Sequence, residues 1–120
     1  MKPGSQVVLR YRDGSTRRAT LMRADMEREI VDIEEDGAAT EVPFASLKAV
    51  FFPQADPDRA PGPVEGSQLA VEFADGEVIR GIAHYNPERN GFFLYPHDRS
   101  KNDRIFVVNS AIMSIEVEKL

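Results

Sequence analysis

Two stretches of the chain carry the same arrangement of residues, and this repetition constrains the fold more than any other feature. The first is YRDGSTRRA, residues 11–19, and the second is FADGEVIRG, residues 73–81. Each has an aromatic residue, then Asp-Gly, then an arginine before a small residue, at a constant offset of 62 positions. Asp-Gly between alternating apolar residues is a strong signal for a tight β-hairpin turn. The pattern therefore predicts two copies of one hairpin unit.

The order of apolar runs extends this repeat over both halves of the chain. VVLRY (7–11) aligns with LAVEF (69–73), and REIVDI (28–33) aligns with NGFFLY (90–95). After three extra residues within PHDRSKNDR (96–104), VPFASLKAVF (42–51) aligns with VVNSAIMSIE (107–116) at an offset of 65. We interpret this as a tandem duplication. The alternative is two unrelated segments rich in hairpins, because Asp-Gly is common in turns.

Each copy predicts five short strands with one helical turn before the last. In the second copy the strands are QLAVEF, EVIRGIAHY, GFFLYP, RIFVVN and MSIEVEKL. Gly81, inside the second of these, indicates a bend or a close approach of the backbone. We predict an all-β protein with a first small barrel at 1–52, a Pro-rich linker at 53–66 and a second small barrel at 67–120. Because a barrel of that size has a thin core, we expect the two to dock face to face and bury Phe51, Phe52 and one of Phe92 and Phe93.

Composition excludes several kinds of chemistry. The 120 residues include no cysteine, so disulfides, thiolate catalysis and sulfur-ligated metals are excluded. His84 and His97 lie on different predicted elements, and no cluster has metal-ligand spacing or the pattern of a phosphate-binding loop. We therefore predict no enzyme activity, no metal and no cofactor. The net charge of −5 disfavours nucleic acid as a partner. No stretch is apolar enough for a signal peptide or membrane span, so we expect the cytoplasm.

The predicted strands resemble an SH3-like or Sm-like small barrel, and the second copy is most similar to the Sm-like branch. The segment GIAHYNPERNGFFL (81–94) carries the resemblance: Tyr85 matches the aromatic residue of that family's motif, Asn86 replaces its Asp, and Asn90 matches its Asn. The resemblance implies RNA binding and rings formed by strand pairing. However, VVNSAI (107–112) stands where the family's Arg-Gly element is expected, which puts RNA binding in doubt.

A second resemblance concerns the partner. Residues 73–115 are similar to a bacterial domain of unknown function that accompanies signalling proteins such as response regulators. This implies a bacterial regulatory setting and no catalytic residues. Our favoured expectation is a non-catalytic, adaptor-like module that binds another protein, with its oligomeric state left open.

Two regions provide candidate binding residues. In the first copy Arg10, Arg12, Arg17 and Arg18 surround one turn, where they could hold an acidic protein surface or an anionic ligand such as a nucleotide. The alternative is that these arginines protect an edge hairpin from pairing with other chains. The second copy offers two loops and an exposed aromatic residue, and its candidates are Tyr85, Arg89, Asn90, Phe92, Arg99, Lys101 and Arg104. For these the alternative is an ordinary solvated loop.

Overall fold

The computed structural model describes residues 4–54 and 65–118 and shows an all-β protein. The first half forms β1 Ser5–Tyr11, β2 Thr16–Asp25, β3 Ile30–Glu35, β4 Ala38–Pro43 and β5 Leu47–Pro53. The second half forms β6 Ser67–Phe73, β7 Val78–Ala83, β8 Gly91–Pro96, β9 Asn102–Val108 and β10 Ile112–Val117. A single 3₁₀ turn precedes the last strand of each half, at Phe44–Ser46 and Asn109–Ala111. The predicted all-β class and strand sequence are confirmed.

The ten strands form one antiparallel sheet. Its order is β10-β6-β7-β8-β9-β5-β1-β2-β3-β4, so each half contributes its strands in the order fifth, first, second, third, fourth. Among the described residues no pairing joins β4 to β5 or β9 to β10, and the sheet is not closed into a barrel. The halves meet edge to edge through β5 and β9, rather than face to face as the sequence suggested.

The two Asp-Gly hairpins have the same local geometry. In the first, the Gly14 N–H donates to Tyr11 O at 3.1 Å and Gly14 has φ +91°. In the second, the Gly76 N–H donates to Phe73 O at 2.9 Å and Gly76 has φ +90°. Only the glycine of each pair takes a positive φ, so the turn is a type I turn followed by a left-handed glycine. The repeated residues therefore encode a repeated turn.

Alternation along the strands places the aligned apolar residues of both halves in the core. Leu9 and Val71, which occupy aligned positions, are both fully buried. Gly81 is buried where β7 pairs with β8, and a Cβ there would lie 2.5 Å from Tyr95 O. Its counterpart in the first half is Ala19, which is also buried. The predicted close approach at Gly81 is confirmed.

Four phenylalanine rings connect the cores of the two halves. Phe44 packs on Phe106 with ring centroids 5.7 Å apart, Phe106 on Phe93 at 5.4 Å, and Phe93 on Phe52 at 5.8 Å. Phe44 and Phe52 belong to the first half, and Phe93 and Phe106 to the second. The expected burial of Phe51 and Phe52 is confirmed, and of the paired aromatics Phe92 is buried and Phe93 half-buried. The halves thus share one apolar core.

The predicted linker lies mostly outside the described residues, which break off after Gln54 and resume at Glu65. Pro53 is the last residue of β5. No helix in the described ranges is long and apolar enough to cross a membrane.

Candidate binding cleft

The two repeated hairpins lie next to each other at the junction of the halves. The guanidinium of Arg10, on β1, donates to a carboxylate oxygen of Glu77 at 2.6 Å. The ammonium of Lys48, on β5, lies 2.7 Å from Asp75 and 2.5 Å from Glu77. Two cations of the first half are therefore paired with the two carboxylates that flank Gly76 in the second half. We call these four residues the junction network.

Lys48 is the most buried member of this network. It is 6% exposed and is the one charged or polar residue among those buried in the described chain. Burial works to lower the pKa of Lys48, but hydrogen bonds and charge from Asp75 and Glu77 outweigh it and raise that pKa. The hydrogen bond from Lys48 lowers the pKa of Asp75. Burial works to raise the pKa of Glu77, but Lys48 and Arg10 together lower it. The pKa shifts of Lys48, Asp75 and Glu77 therefore all favour the charged forms.

Arg10 and Arg12, two of the predicted binding residues, make contacts within the protein. Arg10 also stacks on the ring of Phe51, with its guanidinium carbon 4.3 Å from the ring centroid. Arg12 donates to Leu47 O at 3.0 Å, to Phe44 O at 3.2 Å and to Ser110 Oγ at 2.6 Å. These donors support the 3₁₀ turn of the first half and connect it to the second half.

The other two arginines of the hairpin differ from each other. Arg17 on β2 is paired with Glu35 on β3. Hydrogen bonds of Arg17 with the side chains of Tyr11 and Glu35 raise the pKa of Arg17. The side chain of Arg18 is exposed and makes no ion pair or hydrogen bond among the residues described here. Of the four arginines that the sequence places around this turn, Arg18 is the one whose charge is not already engaged.

A cleft of about 640 Å³ lies beside β8, on the side where the first half meets the second. Five of its twelve lining residues are Phe or Tyr, and one residue, Met26, comes from the β2–β3 turn of the first half. We call it the aromatic cleft. It is lined by Met26, Glu65, Ala83, His84, Tyr85, Asn86, Arg89, Gly91, Phe92, Phe93, Tyr95 and Phe106. Its volume falls in the range of typical ligand-binding pockets.

Tyr85 is the exposed aromatic residue of this cleft. It is 42% exposed and packs edge-on against the buried Phe92, with ring centroids 5.4 Å apart. Phe92 is therefore fixed as a floor, while Tyr85 offers an open ring face or edge at the rim. Arg89 is exposed at the same cleft and has no carboxylate partner among residues 4–54 and 65–118. The cleft thus combines apolar rings with an available cation.

Asparagine side chains hold the loop that presents Tyr85 and Arg89. Asn86 Oδ1 accepts from the Glu88 N–H at 2.9 Å. Asn109 Nδ2 donates to Asn86 O at 3.0 Å and to Arg89 O at 2.6 Å. Asn90 Nδ2 donates to Met26 O at 2.7 Å. Asn90, which the sequence predicted as a binding residue, therefore fixes the turn of the first half that supplies Met26.

The charged insertion of the second copy is closely attached to the rest of the protein. Arg99 is paired with Asp103 and stacks on Tyr95 at 5.2 Å, and Arg104 lies over Phe52 and Phe93 at 4.7 and 5.0 Å. Lys101 is exposed, and the pKa of Asp98 is lowered first by hydrogen bonds from Ser100 and further by the charge of Lys101. Tyr85, Arg89 and Phe92 meet in the aromatic cleft, whereas Arg99, Lys101 and Arg104 do not line it.

Sequence reasoning did not identify Met26, Lys48 or Glu77 as important. A signal existed for Lys48, because a lysine inside the apolar run LKAVFF is unusual and its aligned residue is Met113. No local signal marks Met26, since its role follows from where the turn of one half meets the loop of the other.

No group of three or more His, Asp or Glu side chains in the described ranges could hold a metal ion. Among known proteins, a family model described as a family of unknown function (DUF6982) matches residues 4–119. The match extends across both halves of the chain. No curated protein and no solved structure matches the chain.

Proposed function

The chain belongs to DUF6982, a family of unknown function, so its function has to be inferred from its own surface, and we propose that it is a non-catalytic protein-binding module. In this proposal the aromatic cleft receives an apolar side chain of a partner protein. One observation carries it: the open ring of Tyr85 stands at the rim above the buried Phe92 in a cleft that both halves line. Exposed aromatic residues over a fixed floor are typical anchors of protein interfaces.

The charge at the cleft specifies the partner further. No carboxylate of the described residues pairs with the guanidinium of Arg89. A free guanidinium can bind a carboxylate through two parallel hydrogen bonds, in bidentate geometry. The partner segment would therefore place an apolar side chain against Tyr85 and Phe92, with an Asp, a Glu or a terminal carboxylate beside Arg89. The setting we propose is bacterial signalling in the cytoplasm, following the resemblance of residues 73–115 to a domain that accompanies response regulators.

The two halves are, in this proposal, copies of one small-barrel module of the SH3-like or Sm-like kind, opened and joined edge to edge. Support comes from the equal strand order of the halves, the matching Asp-Gly turns and the 3₁₀ turn before each fifth strand. The duplication places a turn of one module against a loop of the other, and the aromatic cleft lies at that contact.

The arginine hairpin gives less support to the alternative of an anionic-ligand sensor. Arg10 is paired with Glu77, Arg12 with main-chain carbonyls and Arg17 with Glu35, which leaves Arg18 as the available charge. A phosphate site needs several convergent donors that are free to bind. The alternative of RNA binding is weakened in the same way, because it also needs several donors that are free to bind phosphate.

The proposal is tested by selecting peptides from a random library against the immobilised protein and measuring the affinity of each selected peptide. Tyr85→Ser should weaken binding about tenfold or more, because truncating an aromatic anchor at the centre of an interface costs about 2 kcal/mol or more. Val78→Ser is the matched control, since Val78 is 41% exposed but does not line the cleft. Arg89→Ala should weaken binding of peptides with a carboxylate and leave uncharged ones unaffected. If selected peptides bind Tyr85→Ser as well as the native chain, the cleft is not the binding site.

A thermal-melting series with nucleotides tests the alternative in parallel. A ligand at 100 times its dissociation constant stabilises a protein by about 2.7 kcal/mol. We expect no such stabilisation, and a shift that Arg18→Ala removes would favour the sensor over the protein-binding module.

A further inference from the structure

The β2–β3 turn of the first half lies against the loop between β7 and β8 of the second half. Asn90 of that loop donates to Met26 O in the turn at 2.7 Å. Met26 lines the aromatic cleft together with Tyr85 and Arg89 of the loop. Glu29, at the other end of the turn, lines a second cavity. The place where this turn meets this loop therefore borders two cavities.

The second cavity has a volume of about 310 Å³ and a polar lining. Apart from Pro87, every residue that lines it carries a polar or charged group, and we call it the polar pocket. Tyr85 and Arg89 line both this pocket and the aromatic cleft. These two residues therefore form a shared wall, and a chain that binds against that wall can reach into both cavities.

The polar pocket is lined by two groups of opposite charge that come from different halves. Glu29 is exposed and has no ion pair among residues 4–54 and 65–118. Its neighbour Arg28 is already paired with Glu41 at 3.4 Å. Arg89 is also exposed and lacks a carboxylate partner in the same ranges. One carboxylate and one guanidinium at this pocket are therefore available to a partner.

The backbone that carries these two charges is held on both sides of the pocket. Glu29 takes a positive φ of 55°, and its C=O accepts from the Phe44 N–H at 2.8 Å. Asp25 Oδ1 accepts from two N–H groups within the same turn. On the opposite side, the C=O of Arg89 accepts from Asn109 Nδ2 at 2.6 Å. Positions that are preorganised in this way suit recognition, because binding does not have to order them.

We propose that the polar pocket is a second specificity pocket, which takes a Lys or Arg side chain of the partner segment opposite Glu29. The lining residues set the order of the partner's groups: an apolar side chain in the aromatic cleft, a carboxylate at Arg89 on the shared wall, and the basic side chain beyond it. Complementary charges of this kind decide which partner binds more than how tightly it binds. The inference rests on the proposed protein-binding function, because it uses the same wall.

Peptides selected from the library and acetylated at their amino terminus test the pocket, with Lys and Glu placed in turn at each position. One position should favour Lys over Glu by about threefold or more in affinity, as expected for a solvent-accessible ion pair. Glu29→Gln should remove this preference, and Glu29→Lys should reverse it. Glu27→Lys is the matched control, since it changes the net charge equally and Glu27 is exposed on the same turn but lines neither cavity.

The outcomes separate this inference from the function on which it rests. If Tyr85→Ser weakens the selected peptides but no position favours Lys, or the preference persists in Glu29→Lys, the polar pocket does not contact the partner and the inference is wrong. If Tyr85→Ser weakens none of the peptides, the aromatic cleft is not the binding site and both proposals fail. Urea unfolding of the two Glu29 variants should match that of the native chain, so that a changed preference is not a changed fold.

Disulfide trapping locates the basic residue directly, since the chain has no cysteine of its own. A peptide with Cys at the position that favours Lys should form a mixed disulfide with Glu29→Cys faster than with Glu27→Cys. Equal rates for the two variants would contradict the placement of that residue in the polar pocket.

Discussion

The ammonium of Lys48 lies 2.7 Å from a carboxylate oxygen of Asp75, so a lysine of the fifth strand is held by the Asp-Gly turn of the other half. The same ammonium lies 2.5 Å from Glu77, which also accepts from Arg10. A buried charge is tolerated when it is paired and hydrogen-bonded. The repeated turn therefore has two roles in the second half: it reverses the chain, and it neutralises the first half's buried cation.

Removing a carboxylate from the junction network should cost more than removing the lysine. Glu77→Gln deprives both Arg10 and the buried Lys48 of a partner, and we expect a loss of about 1–2 kcal/mol in the free energy of unfolding. Lys48→Met, which installs the residue that stands at the aligned position 113, removes the buried charge itself and should cost within about 1 kcal/mol. Urea unfolding measures both, with the exposed Glu88→Gln as control. A larger loss for Lys48→Met would contradict this ranking.

The stability of the protein should fall in acid because of the same carboxylates. The pKa values of Asp75 and Glu77 are lowered in the fold from ordinary values of 3.8 and 4.5. Groups with lowered pKa values bind protons more tightly when unfolded, so their contribution is present above the unfolded pKa and is lost as pH falls through the folded one. Melting temperatures measured from neutral pH downward should therefore drop once pH falls below those ordinary values. Glu77→Gln should flatten this drop, and an unchanged acid profile would contradict the assignment.

Arg12 and Arg18, neighbours on the hairpin, should respond differently to truncation. Arg12→Ala removes hydrogen bonds to Leu47 O, Phe44 O and Ser110, and we expect it to cost about 1–2 kcal/mol of stability. Arg18→Ala removes an exposed side chain without partners in the described chain and should change stability by no more than about 0.5 kcal/mol. Chemical denaturation of the two variants side by side measures the difference. Equal losses would mean that the Arg12 contacts contribute nothing.

Gly81 and Ala19 occupy aligned positions, and exchanging their side chains should have unequal costs. In Gly81→Ala the new methyl group would lie 2.5 Å from both Tyr95 O and the side chain of Leu94, so we expect a loss of about 2 kcal/mol or more. Ala19→Gly removes one buried methyl group and adds backbone freedom, which should cost about 1 kcal/mol. Calorimetric unfolding of both variants checks the order. A neutral Gly81→Ala would show that β7 and β8 can separate without cost.

The order of the strands could be predicted from local pattern because alternation, turns and breaks are written in neighbouring residues. Leu9 and Val71 reach the core since their strands alternate apolar and polar positions, and Gly14 and Gly76 supply the positive φ that their turns require. The role of Gly81 was predictable for the same reason. These features depend on interactions within one strand or one hairpin.

The candidate site was predicted in part. Tyr85, Arg89 and Phe92 come from one continuous loop and strand, so their proximity follows from sequence, and the structure places all three in the aromatic cleft. The arginines of the first hairpin were identifiable as a cluster of charge. Their partners were not, because Glu77 and Ser110 lie 67 and 98 positions away from Arg10 and Arg12.

By itself, the sequence determined an all-β chain built from two copies of a five-stranded unit, because strand periodicity and turn chemistry act over a few residues. Only the tertiary structure decided that the copies join edge to edge through β5 and β9 into one sheet. That choice buries Lys48 against the second Asp-Gly turn, brings Met26 to the aromatic cleft, and leaves β10 without an outer neighbour. Which edges pair depends on the shapes and charges of surfaces far apart in the chain, and no local pattern specifies it.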